Sequence, residues 1–151
     1  MKKFAKLFAV AFAALTVLTA ASGCSARTPS TTDSFQKLAQ GQGFGQIQDA
    51  TSGYAGATKA IDATKTESDT QIVFIQYPDD DSAQTEYQTL KKQAAPNGGG
   101  NTVDSATYNR YIVTNGELYY NIIRMDSTLL FCQATDTNKD EVDNFVKAIK
   151  Y

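Results

Sequence analysis

The last third of the chain holds the pattern that most limits what it can fold into. Three runs rich in β-branched and aromatic residues, 107–114, 117–125 and 128–135, are separated by Asn115-Gly116 and Asp126-Ser127. An Asn-Gly pair between two such runs favours a two-residue hairpin turn, because both residues tolerate the positive φ angles that the turn requires. The three runs therefore predict an antiparallel meander.

Two-residue turns also determine which residues face each other across the meander. They pair Val113 with Leu118, and Ile122 with Phe131. One face then carries a mostly apolar set that we predict to be core: Tyr111, Val113, Leu118, Tyr120, Ile122, Leu129 and Phe131. The other face carries Tyr108, Arg110, Ile112, Tyr119, Asn121, Ile123, Leu130 and Cys132.

This second face allows two interpretations. If the face is exposed, it would be a surface that binds a ligand or partner. The candidate binding residues are then Tyr108, Arg110, Tyr119 and Asn121. Alternatively, sheet curvature, the glycine-rich segment 41–45 or an oligomer buries the face as core, which its apolar members favour.

Upstream, the sequence predicts a short helix over 34–40, a strand near 44–50 and a hairpin formed by 58–66 and 71–77. The second arm of the hairpin, Ile72 to Ile75, is apolar on both faces, so we expect it to be central in the sheet. Pro78 ends it, because proline has no N–H for a sheet hydrogen bond. The glycines of 41–45 lack the Lys-Ser/Thr of a phosphate-binding loop and are predicted to be a connection.

Two amphipathic runs predict the remaining helices. Asp79-Asp80-Asp81 precedes a stripe at helical spacing, and we interpret these acids as helix caps, with Asp81 and Gln84 as a capping box, rather than as a calcium site. The last run, 138–150, has a similar stripe and a second capping pair, Asn138 with Glu141. Its start resembles a calcium loop, but Glu141 and Lys147 stand where that loop needs glycine and glutamate.

Together these elements predict an α+β fold. We expect a mostly antiparallel sheet of five to six strands with the helices packed on one face, a two-layer sandwich. The hairpin and the meander would supply most of the strands.

The N-terminal residues predict export. Lys2, Lys3 and Lys6 precede an uncharged apolar run of 15 residues, 7–21, which is too short to span a bilayer and is typical of a cleaved signal peptide. The following Ala21-Ser22-Gly23-Cys24 resembles the lipobox of bacterial lipoproteins. The resemblance implies that Cys24 becomes the N-terminus and carries a diacylglyceryl group. Two acyl chains would hold the protein in the membrane, whereas one alone binds only marginally.

The predicted organisation is therefore a signal peptide (1–23), a lipidated polar tether (24–33) and a single α+β domain (34–151). The whole chain also resembles small lipoproteins of Gram-positive bacteria with unassigned function. This resemblance rests on the lipobox, the apolar strand before the central helix, the Tyr-rich meander and the closing helix that ends in Tyr151. It implies a location on the extracytoplasmic face of the cell membrane and transfers no functional residues.

Composition excludes several classes of chemistry. The chain has no histidine, which removes Ser-His-Asp and Cys-His catalysis and His-based zinc sites. Loss of the three signal lysines leaves 11 basic and 16 acidic side chains, a net charge of −5 that argues against nucleic-acid binding. With Cys24 lipidated, Cys132 has no disulfide partner and is predicted to be a small buried hydrophobe. We predict no cofactor and no metal site.

Three functions remain. The leading hypothesis is a non-enzymatic, membrane-tethered module that binds a partner protein, peptide or cell-wall component. The first alternative is a carboxylate-based hydrolase of envelope glycan, with acids drawn from Asp62, Glu67, Asp104 and Glu117. The second is a structural subunit of an envelope complex that pairs through a sheet edge.

Overall fold

The structure, a computed structural model, describes residues 27–151. The predicted signal peptide and the predicted lipidation site, Cys24, lie outside the described residues. The fold is α+β, with one seven-stranded antiparallel sheet in the order β1-β2-β3-β7-β6-β5-β4. The elements are α1 (Thr32–Gly41), β1 (Gln46–Asp49), β2 (Lys59–Lys65), β3 (Thr70–Gln76), α2 (Asp80–Ala94), β4 (Asn101–Asp104), β5 (Tyr108–Asn115), β6 (Leu118–Met125), β7 (Thr128–Thr135) and α3 (Lys139–Ile149).

The predicted meander is formed by β5, β6 and β7, and one of its two registers differs from the expectation. In the β6–β7 hairpin Ile122 pairs with Phe131, as predicted. In the β5–β6 hairpin Val113 pairs with Tyr120, because the turn is Gly116-Glu117 and not Asn115-Gly116. Gly116 supplies the one positive φ angle of this turn, +63°. The shift is two residues, so every side chain keeps its predicted face.

The hairpin of β2 and β3 is also confirmed, and β3 is central, with β2 on one side and β7 on the other. The sheet has seven strands instead of five to six because β4 extends the meander at its outer edge. All four residues of β4 are exposed. A strand that buries none of its side chains has no apolar alternation, so β4 could not be predicted from periodicity.

The expectation that the helices pack on one face is wrong. The α2 stripe packs on Val73, Ile75 and the meander face predicted to be core. Helices α1 and α3 pack on the opposite face, over Ile72 and Phe74. Because β3 is apolar on both faces, it is buried only when both faces are covered. The sheet is therefore the middle layer of three.

The first residue of α1 and the capping residues of α2 and α3 differ from the predictions. Helix α1 begins at Thr32, and the Thr31 hydroxyl accepts a hydrogen bond from the Ser34 N–H. The capping interpretation of the acid run is confirmed, but the cap is Asp79, whose carboxylate accepts from the Ser82 N–H at 2.7 Å. Asn138 makes no side-chain cap of α3. Local spacing gives the position of a helix start to within about two residues, which is the usual uncertainty.

Candidate functional site

The four candidate binding residues lie on one face of the sheet, where α3 meets the meander. Tyr108 and Arg110 are on β5, and Tyr119 and Asn121 are on β6. The structure brings three of the four together around Asp143, a residue of α3 that the sequence did not single out. Asp143 flanks the buried stripe of its helix, and nothing in the sequence distinguishes it from the neighbouring acids Asp140 and Glu141.

One carboxylate oxygen organises this cluster. Asp143 Oδ1 accepts hydrogen bonds from Tyr119 Oη at 2.8 Å and from Asn121 Nδ2 at 3.2 Å. Arg110 Nε donates to Asn121 Oδ1 at 3.1 Å, and the Arg110 guanidinium lies 3.7 Å from Asp143 Oδ1. Each polar group of the cluster therefore satisfies another, as buried polar groups must.

Burial separates the four residues into two pairs. Asn121 is fully buried and Tyr119 is 5% exposed, so their polar atoms serve the contact with α3. Tyr108 and Arg110 are only half-buried. Burial, followed by the hydrogen bond to Asp143, raises the pKa of Tyr119 far above its ordinary value. Its hydroxyl accordingly stays protonated and remains a donor.

Cys132 lies on the same face and is shielded from solvent. It is fully buried beneath α3, and this burial raises the pKa of its thiol well above the ordinary value. A thiol that does not ionise is a poor nucleophile. The prediction that Cys132 is a small buried hydrophobe is confirmed.

The accessible part of this face lies on β4 and β5, beyond the strands that α1 and α3 contact most closely. We define the β4–β5 surface as Val103, Tyr108, Arg110 and Ile112. Val103 pairs with Arg110 in the register of the two strands, so both side chains are on one face. Val103 is 57% exposed, more than any other large apolar side chain among residues 27–151. Val103 is not among the predicted binding residues because no strand was predicted at β4.

The Arg27 side chain, which precedes α1, contacts this surface. Its guanidinium carbon lies 4.4 Å from the centroid of the Tyr108 ring, within the range of a cation–π contact. Residues 24–33 were predicted to be a solvated tether. The described part of that segment instead meets the domain at Tyr108.

Two clefts lie elsewhere, at the end of the sheet that carries the β5–β6 turn. One, of about 450 Å³, is lined by Gly116, Glu117, Thr135, Asp136 and Thr137. The other, of about 380 Å³, lies between the end of α2 and β4, where Lys91 Nζ donates to Thr102 Oγ1. Lys91 also lies 4.9 Å from the centroid of the Tyr111 ring. Both clefts are open to solvent.

The four acids considered for hydrolysis occupy separate parts of the fold. Asp62 on β2 is largely buried, and its carboxylate accepts hydrogen bonds from Thr64 and Gln71. Asp104 ends β4, five strands away, which is about 24 Å at the usual strand spacing. Glycosidase carboxyls are about 5 to 9.5 Å apart. Glu67 and Glu117 lie in two different turns.

The described residues also contain no group of three or more acidic or cysteine side chains arranged to hold a metal ion. None of the helices between residues 27 and 151 is long and apolar enough to cross a membrane.

Comparison with known proteins supports the fold. No protein family and no curated protein matches the chain. Among solved structures, one described as a GTP binding regulator from Thermotoga maritima superposes with a TM-score of 0.53 and 11% sequence identity. The match covers 80% of this chain and 84% of that one. At this identity the likeness shows a shared α+β architecture and nothing further.

Proposed function

We propose that the protein is a membrane-anchored extracytoplasmic lipoprotein whose domain is a non-enzymatic binding module for a protein, a peptide or a cell-wall component. The contact region is the β4–β5 surface. The observation that carries this proposal is the exposure of Val103 beside the half-buried Tyr108 and Arg110. Isolated exposed apolar residues are common, but the two residues beside this one, a tyrosine and an arginine, are of types that are enriched at interfaces.

The Arg110 side chain supports this proposal by its rigidity. Asn121 and Asp143 hold its guanidinium from the α3 side. A long side chain that is already ordered loses less conformational entropy when a partner binds. Only 29% of the Arg110 side chain is exposed, so a partner would meet a guanidinium in fixed orientation. Planar acceptors such as carboxylates match that geometry.

Site-specific photo-crosslinking in the producing cell tests the binding proposal. A photoreactive residue replaces Val103 in one variant and Gln48, an exposed residue of the opposite edge strand β1, in the control. We expect position 103 to give a discrete crosslinked product that position 48 does not give. Arg110→Ala in the first variant should reduce that product. Identical products from both positions would contradict the proposal.

The anchor is tested separately. The lipobox and the preceding apolar run support lipidation of Cys24. Cells grown with labelled palmitate should incorporate the label into the wild-type protein and not into the Cys24→Ala variant. Label in both variants, or in neither, would refute the anchor and leave the crosslinking result intact.

The edge strand β4 supports a second candidate, a structural subunit of an envelope complex. All four of its residues are exposed, and it pairs with β5 on one side only. An added strand would bind through main-chain groups. Such pairing depends little on the Arg110 side chain, so Arg110→Ala would leave it intact. Loss of the crosslinked product in that variant would favour binding by the face over pairing at the edge.

A further inference from the structure

The segment before α1 runs along one end of the sheet. Tyr108 at the start of β5 pairs with Met125, and Met125 pairs with Thr128 at the start of β7. Thr128 in turn shares a hydrogen bond of 2.6 Å with the hydroxyl of Tyr151 at the C-terminus. The start of β5, the end of β6 and the start of β7 therefore lie at the same end of the sheet. We define the Tyr108 end as this end of the sheet, including the β4–β5 and β6–β7 turns. Arg27 contacts the domain there.

The length of the chain limits how far position 24 can lie from this contact. Three residues separate Cys24 from Arg27, and a fully extended chain covers at most about 3.6 Å per residue, or about 11 Å here. If the segment were free up to Thr32, eight residues could extend about 29 Å. The contact of Arg27 with Tyr108 therefore shortens by nearly two thirds the distance that the free segment can span between Cys24 and the domain. Pro29 stiffens the segment further, because it restricts its own φ angle and the backbone of Thr28.

We propose that the Arg27–Tyr108 contact orients the domain on the bilayer. The Tyr108 end faces the membrane, and the Gly116-Glu117 turn faces away from it. An eight-residue strand is about 26 Å long, so this turn and the 450 Å³ cleft beside it stand that much farther from the lipid. The inference rests on the proposed lipidation of Cys24.

The chain has no tryptophan, which makes single-tryptophan probes possible. Thr107 and Glu117 are both exposed and lie in turns at opposite ends of the sheet. The lipidated full-length Thr107→Trp and Glu117→Trp variants are reconstituted into phosphatidylcholine vesicles containing lipids with nitroxide headgroups. We expect stronger quenching of fluorescence in the Thr107→Trp variant. Equal quenching, or stronger quenching in the Glu117→Trp variant, would overturn the proposal.

A second substitution tests whether the contact itself sets the orientation. A cation–π contact at an exposed site favours the docked state about two- to five-fold. Arg27→Gln, added to each probe variant, should lower the docked fraction and so move the ratio of quenching between the two probes toward one. Lys37→Gln, which removes an exposed charge on α1, should leave the ratio unchanged. An unchanged ratio with Arg27→Gln would show that the contact does not orient the domain.

A further experiment distinguishes failure of lipidation from failure of the orientation proposal. The same probe variants, produced as residues 24–151 and coupled through Cys24 to a maleimide lipid, do not depend on natural processing. Cys132 is fully buried and does not compete for the coupling. A quenching difference in the coupled protein, with no palmitate in the cellular protein, would refute the anchor and uphold the orientation.

Discussion

Glu141 in the first turn of α3 accepts a hydrogen bond from Thr70 at the start of β3, across 71 residues of sequence, with the two oxygens 2.9 Å apart. The same carboxylate also accepts from Ser68 and from Lys65 of the β2–β3 hairpin. The residue was predicted to cap its own helix. It instead joins the hairpin to the last helix of the chain, and so ties the middle of the sequence to its end.

Replacement of Glu141 should destabilise the domain. The Glu141→Ala variant leaves the Thr70 hydroxyl buried without this acceptor, and hydrogen bonds to a charged group contribute about 1.5 to 3 kcal/mol. We expect the free energy of unfolding, measured by urea denaturation, to fall by about 2 kcal/mol. The control is Asp140→Ala, an exposed neighbour, for which a change of about 0.5 kcal/mol or less is expected. Equal losses in the two variants would contradict this role.

The same carboxylate should make stability depend on acid pH. Burial opposes ionisation of Glu141, but the hydrogen bonds from Ser68, Lys65 and Thr70 outweigh it, and its pKa is lowered from 4.5. A lowered folded-state pKa gives stability that is present above the unfolded value and lost as pH falls through the folded value. The stability difference between wild type and Glu141→Gln should therefore shrink between pH 6 and pH 2.5. A stability difference that is constant over this range would refute the proposed contribution of the ionised Glu141 carboxylate.

The elements that the sequence predicted are those with strong local signals. The turns at Gly116 and Asp126, the stripe of α2 and the double-sided apolar run of β3 depend only on neighbours in sequence. The apolar run of β3 also indicates a three-layer arrangement, because a strand that is apolar on both faces is buried only when other elements pack on both faces of the sheet. Periodicity shows that a helix has an apolar face, but not which face of the sheet that helix covers.

The candidate site was predicted only in part for a similar reason. The alternation of the meander placed Arg110, Tyr119 and Asn121 on one face, as the structure has them. Asp143 joins them through a tertiary contact, and its distance from Asn121 in sequence is 22 residues. Val103 depends on β4, whose pairing with β5 leaves no alternation in the sequence. Contacts of this kind follow from the assembled fold.

Removal of the Asp143 carboxylate should release the groups that it binds. In the Asp143→Ala variant the buried Asn121 and Tyr119 both lose their acceptor. Each buried polar group left without a partner costs about 1 to 3 kcal/mol. We expect a loss of about 2 to 4 kcal/mol in the free energy of unfolding, measured by urea denaturation. Asn144→Ala, an exposed neighbour on the same helix, should change stability by about 0.5 kcal/mol or less.

A side chain at Gly100 should destabilise the domain. A Cβ at this position would lie 2.6 Å from the Ile112 carbonyl oxygen and 2.7 Å from the Tyr111 ring. Gly98 has nearly the same φ angle, +78° against +76°, but a Cβ there would meet nothing within 4 Å. Gly98→Ala should therefore cost only the backbone strain, about 1 kcal/mol. Gly100→Ala should cost about 1 to 3 kcal/mol more from overpacking, measured as the shift in thermal midpoint. Equal shifts would mean that the loop moves freely away from Tyr111.

Removal of the hydroxyl from either of two other buried tyrosines should have the opposite effect on stability to its removal from Tyr119. The hydroxyls of Tyr77 and Tyr87 have no hydrogen-bond partner among residues 27–151, although both side chains are buried in the core between α2 and the sheet. A buried polar group without a partner costs free energy, so its removal in Tyr87→Phe should be neutral or stabilise the domain by about 1 kcal/mol. Tyr119→Phe removes a hydroxyl bound to Asp143 and should destabilise it by about 1 to 2 kcal/mol. Because the two substitutions delete the same atom from equally buried rings, the sign of the change in urea midpoint depends on the partner alone. A loss of stability in Tyr87→Phe as large as that in Tyr119→Phe would show that the Tyr87 hydroxyl does find a partner beneath α2.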